Sequence, residues 1–254
     1  MGKSKIAFIS GATAGIGEAA AHHLAAEGYK LILNGRRAEK LKLLESALKE
    51  EYSIDCLLLP FDVQNRDEMT QSISGIPEDW MDIDILLNNA GLAAGLATVH
   101  EADWEDWEQM INTNVKGLIN LTRLVSPWMV KRQSGHIVNI SSIAGKEVYN
   151  KGAVYCASKH AVDAFTKGLR IDLAPYNIKV TSIAPGAVNT EFSLVRFKGD
   201  QQMADQVYEG FDPLLAEDIA EAIMFAVSRP AHVNVNDMLI MPTAQANTTT
   251  LIRK

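Results

Sequence analysis

Cysteine is scarce: the 254 residues contain two, Cys56 and Cys156, and they form no C-x-x-C pair. A disulfide framework is therefore excluded, and both thiols read as inert, although the place of Cys156 next to Tyr155 leaves open a site sensitive to thiol reagents. Long apolar runs are missing too. No stretch approaches the roughly eighteen residues that cross a bilayer, and Met1-Gly2-Lys3-Ser4-Lys5 passes straight into an apolar strand with no signal-peptide core. The expectation is a cytoplasmic protein with no membrane partner. Basic residues are outnumbered, 24 Lys and Arg against 31 Asp and Glu, for a net charge of -7. That balance argues against nucleic acid, whose phosphates need clustered cations. The six histidines show no metal spacing, and no metal is expected.

What is present is alternation. Short apolar, β-branched runs at 5–10, 30–34, 55–60, 82–88, 136–141, 179–184 and 237–241 read as strands. Helical patterns fall between them at 18–27, 38–50, from about 66, from 100 continuously to about 130, at 154–173 and at 217–227. The segment 187–211 reads as irregular and polar, and 242–254 as a tail. Nothing between Lys5 and Met241 resembles a linker, so 1–254 is expected to be a single domain of α/β class. Its parallel sheet would be covered on both faces through right-handed crossovers.

The candidate chemistry gathers at strand ends. The first strand runs into Gly11-Ala12-Thr13-Ala14-Gly15-Ile16-Gly17 and then an Ala-rich helix, the context in which a helix N-terminus receives a pyrophosphate. A merely tight turn is the alternative. The second strand ends at Gly35-Arg36-Arg37, with no Asp or Glu anywhere in 30–37. An acid there would bind a ribose 2'-hydroxyl, whereas arginine accepts a 2'-phosphate, so NADP is favoured over NAD unless the arginines simply begin a helix. Asp62 after the third strand could bind an adenine amino group or cap the next helix. Asn89-Ala90-Gly91 closes the fourth strand with small residues that let backbone approach a flat ring. Asn114 is an amide in an apolar segment, either a satisfied structural group or a functional bend. Ser142 ends the fifth strand, and Tyr155 and Lys159 lie four residues apart on one helical face. A neighbouring ammonium would lower the phenol pKa and equip it for proton exchange with an alcohol. With six tyrosines in the chain, such a pair has weight only in company. Pro185-Gly186 ends the sixth strand, and all these residues open on one mouth.

Taken together, Ser10 to Gly17, Asn88-Asn89-Ala90-Gly91, Asn114, Ser142, Tyr155-x-x-x-Lys159 and Pro185-Gly186 resemble the short-chain dehydrogenase/reductases over essentially the whole chain. Ser10 stands where that family usually has Thr, which keeps a hydroxyl. The resemblance implies a Rossmann-type, doubly wound parallel sheet of about seven strands and a catalytic tetrad. In it Tyr155 is the acid/base, Lys159 lowers its pKa and holds the nicotinamide ribose, Ser142 positions the substrate oxygen, and Asn114 orders a relay water. Expected NADP(H) contacts are Gly11, Thr13, Ala14, Gly15, Ile16, Gly17, Arg36, Arg37, Asp62, Val63, Asn89, Ala90, Gly91, Tyr155, Lys159, Pro185, Gly186, Val188 and Thr190. Gly35-Arg36-Arg37, the stretches 192–200 and 230–236, and Pro242-Thr243-Ala244-Gln245 look like the NADP-dependent 3-hydroxy acid dehydrogenases, which act on serine, allo-threonine or 3-hydroxyisobutyrate or reduce malonic semialdehyde. A homotetramer is implied as well. A small hydroxy acid carries a carboxylate that needs a cation, and the loop at about 187–212 offers Arg196 and Lys198. Reduction of other carbonyls (a 3-oxoacyl thioester, a sugar or a ketone) is the nearest alternative; a non-catalytic NADP-binding regulator is a more remote one.

Overall fold

The apolar runs pair as the alternation requires. The computed structural model describes residues 4–254, so the Met1-Gly2-Lys3 part of the N-terminal reading lies outside the described residues. Within them, strands β1 (Ile6–Ile9), β2 (Lys30–Asn34), β3 (Cys56–Leu59), β4 (Ile83–Asn88), β5 (Gly135–Ile140), β6 (Ile178–Pro185) and β7 (Asp237–Ile240) form one sheet in the order β3-β2-β1-β4-β5-β6-β7. All neighbours are parallel. The order reverses between β1 and β4, and a crevice opens at that switch point beyond the strand carboxyl ends.

Parallel strands are buried on both faces, which is why β1 and the inner residues of β2 and β4 read as unbroken apolar runs. Helices α1 (Gly15–Ala26), α2 (Ala38–Tyr52) and α9 (Ala216–Val227) supply one apolar layer, including Leu24, Leu41 and Ile223. On the opposite face α3 (Arg66–Ser74), α5 (Leu118–Arg132) and α6 (Ala153–Leu173) supply Met69, Leu121 and Leu169. A smaller apolar cluster at the mouth joins Leu92, Met110, Cys156 and Tyr155.

Two expectations are corrected. The helix read as continuous from 100 begins at Trp104, capped by Asp103, whose carboxylate accepts from the Glu105 amide at 3.0 Å. After α4 (Trp104–Ile111) the chain makes a π-helical turn, Asn112–Gly117, before α5. The inserted residue of such a turn swings side chains off the regular helical stripe, and here it carries Asn114. The segment read as irregular holds two short helices, α7 (Glu191–Arg196) and α8 (Gln201–Gln206). Thr190 caps the first, accepting from Phe192 N at 3.3 Å, and Asp200 caps the second, accepting from Met203 N at 3.0 Å. Left-handed backbone at Lys198 and Gly199 separates them.

Candidate active site

The turn after β1 is fastened to β4. Ser10 Oγ accepts the Asn89 and Ala90 amides, each at 3.1 Å, while Asn89 Nδ2 donates to the Ser10 and Gly11 carbonyls, each at 3.0 Å. A methyl group on Gly17 would lie 2.3 Å from Gly11 O and 2.5 Å from Asn89 Nδ2, so only glycine lets the helix start so close to the turn. Ala14 has no side chain to cap α1, which leaves the first amides of that helix facing the crevice. Thr13, Ala14, Gly15 and Ile16 line it from this side; Asp62, Val63, Asn89, Ala90 and Gly91 line its floor, and Pro185, Gly186, Val188 and Thr190 its far wall. The cavity measures about 310 Å³.

Cations collect at the β2 end. Arg37 donates from Nε (3.3 Å) and NH2 (3.0 Å) to Thr13 Oγ1 and from NH2 to the Thr13 carbonyl at 3.1 Å. Its NH1 and the Lys40 ammonium each reach Glu191 at 2.9 Å. Arg36 lies 3.5 Å from Asp62. Asp62 also accepts the Gln64 amide at 2.9 Å, and α3 is capped by Asn65 instead, which removes the capping alternative for Asp62. Uncapped helix amides, a glycine-backed turn and arginines in place of an acid fit a dinucleotide carrying a 2'-phosphate.

The proton-handling side chains meet at the other end of the crevice. Ser142 Oγ accepts the Ala144 amide at 3.1 Å and donates to the Pro185 carbonyl at 3.4 Å. Lys159 Nζ donates to the Ile140 carbonyl at 2.9 Å. Asn114 accepts the Leu92 amide at 2.8 Å and donates to the Leu92 carbonyl (2.8 Å) and Ser158 Oγ (3.0 Å). Behind them Asn88 donates to Thr122 (2.9 Å) and Asn139 (2.8 Å), and Asn139 to Thr166 (2.8 Å), tying β4 and β5 to α5 and α6. This polar ladder is buried and fixes where α6 sits.

Burial governs the titration here. It raises the Tyr155 phenol above its ordinary value, and the Tyr149 phenol adds to that; the Ser142 hydroxyl and the Arg196 charge act in the opposite sense. Lys159, the residue expected to lower it, stands near the ring. Its ammonium lies 6.0 Å from the Tyr155 ring centroid and is itself pushed down to about 8 by burial. The Cys156 thiol, 1% exposed, is raised chiefly by burial, which favours the inert reading.

The structure separates the two substrate-side cations. Lys198 is committed to Asp106 at 2.9 Å and Asp103 at 3.4 Å. Arg196 instead donates to Tyr149 Oη at 2.9 Å and to the Gly95 carbonyl at 3.3 Å, with its guanidinium 5.9 Å from the Tyr155 ring centroid. Phe192 packs edge-on against Tyr155 at 5.7 Å. Sequence reasoning missed Tyr149, Ser158, Lys40 and Glu191. Lys40 follows Arg37 by one helical turn and was available as a signal; Glu191 reaches Arg37 across 154 residues, which no local pattern announces.

With this geometry in place, the class is settled by comparison. Residues 5–200 match the short chain dehydrogenase family, and the chain belongs to it. An NADP-dependent 3-hydroxy acid dehydrogenase of Salmonella typhi is 48% identical over 242 residues, 95% of this chain and 96% of that protein. Its Escherichia coli (strain K12) counterpart is 45% identical over the same shares, and a serine 3-dehydrogenase of Agrobacterium fabrum 41% over 94% of each. Among solved structures, the closed form of a serine dehydrogenase complexed with NADP+ superposes with a TM-score of 0.91 at 43% identity, covering 98% of this chain and 99% of that one. Among the described residues no helix is long and apolar enough to cross a membrane, and no three His, Cys, Asp or Glu side chains converge as metal ligands.

Proposed function

We propose that the protein carries out reversible, NADP-dependent oxidation of a small 3-hydroxy acid at C3, in the class of serine, allo-threonine, 3-hydroxyisobutyrate or 3-hydroxypropionate. NADP, when bound, supplies the hydride acceptor, and NADPH the donor in reverse. The chain's own residues do the rest. For oxidation Tyr155 first passes its own proton to solvent, and its phenolate Oη then takes the hydroxyl proton; in reduction the phenol gives its proton to the carbonyl oxygen, with Ser142 Oγ beside it to hold that oxygen. Lys159 neighbours the phenol and offers its remaining N–H groups to a ribose. Asn114 holds the Leu92 segment and Ser158 behind this pair and orders the proton path. Arg36 and Arg37 receive the 2'-phosphate, and the amides opening α1 receive the pyrophosphate.

The observation that carries the substrate reading is Arg196: a guanidinium with no acid partner among the described residues, next to the Tyr155 ring and steadied by Tyr149. We propose that it binds the substrate carboxylate, with the 187–212 segment as the substrate loop. The cytoplasm is the proposed location. A homotetramer is the proposed assembly, supported by Leu239, 52% exposed on the edge strand β7; sedimentation at a single-chain mass would contradict it. The substrate test compares 3-hydroxy acids with their neutral amides, following NADPH formation in wild type and Arg196→Gln. The acids are expected to be preferred in wild type, and the variant to lose about 100-fold in kcat/KM on acids but little on amides. Equal losses on both would remove the carboxylate role, and preference for neutral carbonyls would favour the broader reductase reading.

A further inference from the structure

The cations at the β2 end are already engaged. Of the five N–H groups of Arg37, those on Nε and NH2 serve Thr13, and NH1 serves Glu191. Lys40 gives its ammonium to the other oxygen of the same carboxylate. Glu191 therefore spans two cations as a phosphate would, with one oxygen on each at 2.9 Å. Burial works to raise its carboxyl, yet the hydrogen bonds from Lys40 and Arg37 hold it below the usual range, so the group is an anion at neutral pH. It lines the same crevice as Thr13, Arg36, Arg37 and Asp62.

We propose that Glu191 is an internal competitor for the 2'-phosphate, and that Arg37 and Lys40 exchange its carboxylate for that phosphate when NADP binds. The inference rests on the NADP reading and adds two residues to it: Lys40 as a further phosphate cation, and Glu191 as the residue that sets how strongly the 2'-phosphate is favoured. A phosphate of charge about -1.5 to -2 brought to this rim meets three cations, Arg36, Arg37 and Lys40, and two carboxylates, Asp62 and Glu191. Two like charges cannot share one guanidinium fork without repulsion, so Glu191 must leave or weaken the phosphate contact. A residue that only positioned Arg37 for the phosphate would have the opposite effect when removed.

The test measures binding by calorimetry, with the cofactor-free protein titrated with 2',5'-ADP and with 5'-AMP. Glu191→Gln should bind 2',5'-ADP more tightly, on the order of fivefold, with 5'-AMP unchanged. Lys40→Gln should weaken 2',5'-ADP alone. Glu39→Gln, an exposed acid on α2 paired with Lys42, controls for a general change of charge and should have a smaller effect. Unchanged or weaker 2',5'-ADP binding by Glu191→Gln overturns the competitor role. So does an equal gain for 5'-AMP, or a gain matched by Glu39→Gln. The underlying reading fails separately: a wild-type protein that does not prefer 2',5'-ADP over 5'-AMP has no 2'-phosphate site for Glu191 to guard.

Discussion

Tyr155 is 8% exposed, and its surroundings keep it a neutral phenol in the free chain. A neutral phenol is ready to donate to a carbonyl oxygen, whereas oxidation of an alcohol must first find the proton a place to go. The spacing of Tyr155 and Lys159 was legible in the sequence, but the dominance of burial over charge was not, because i and i+4 spacing states only that two side chains share a face. A second buried group gives a stability prediction. His136 on β5 hydrogen-bonds Thr181 through Nε2 at 2.7 Å, and burial lowers its pKa from 6.5 to about 3. The folded pKa lies below the unfolded one, so the unfolded chain takes up the proton first. Stability is thus complete above pH 6.5 and is lost as pH falls toward 3, by up to about 1.4 kcal/mol per pH unit. His136→Gln, which keeps a donor near Thr181, should flatten that part of the melting-temperature profile. A wild-type acid slope that persists in the variant would assign the loss to other groups.

The strand–turn–helix unit from β1 to α1 was readable in full, because its glycines are sequence-local and their purpose is steric. Gly17→Ala places a methyl group 2.3 Å from Gly11 O. It should destabilise the protein by about 2 kcal/mol and weaken NADPH binding, both measurable by thermal melts with and without nucleotide; binding at wild-type strength would show that the turn does not need its close approach. The β-strands were legible because burial on two faces writes itself as apolar runs. The π-helical turn at Asn112–Gly117 was not, since one inserted residue hardly disturbs a helical pattern. Helices α7 and α8 escaped for another reason. Each has six residues and is held by a cap and by tertiary contacts, among them the hydrogen bond between Ser193 Oγ of α7 and Tyr208 Oη at 2.7 Å.

At the scale of the whole molecule, the parallel sheet brings residues from 11 to 196 to one mouth. Its cofactor half follows from motifs near strand ends. The proposed substrate half depends on α7, whose placement beside Tyr149 and Tyr155 is a product of the fold: it brings Arg196 to Tyr149, while Lys198, just past its end, pairs with Asp106. Identity of 48% to a 3-hydroxy acid dehydrogenase over 95% of the chain agrees with both halves. The proposed chemistry rests on Tyr155 moving a proton beside bound NADP. The most direct measurement is Tyr155→Phe, assayed in parallel for NADPH binding and for turnover on a 3-hydroxy acid. Loss of about 1,000-fold in kcat with nucleotide affinity unchanged is the predicted result. Turnover near the wild-type rate in a variant that still binds NADPH would contradict it.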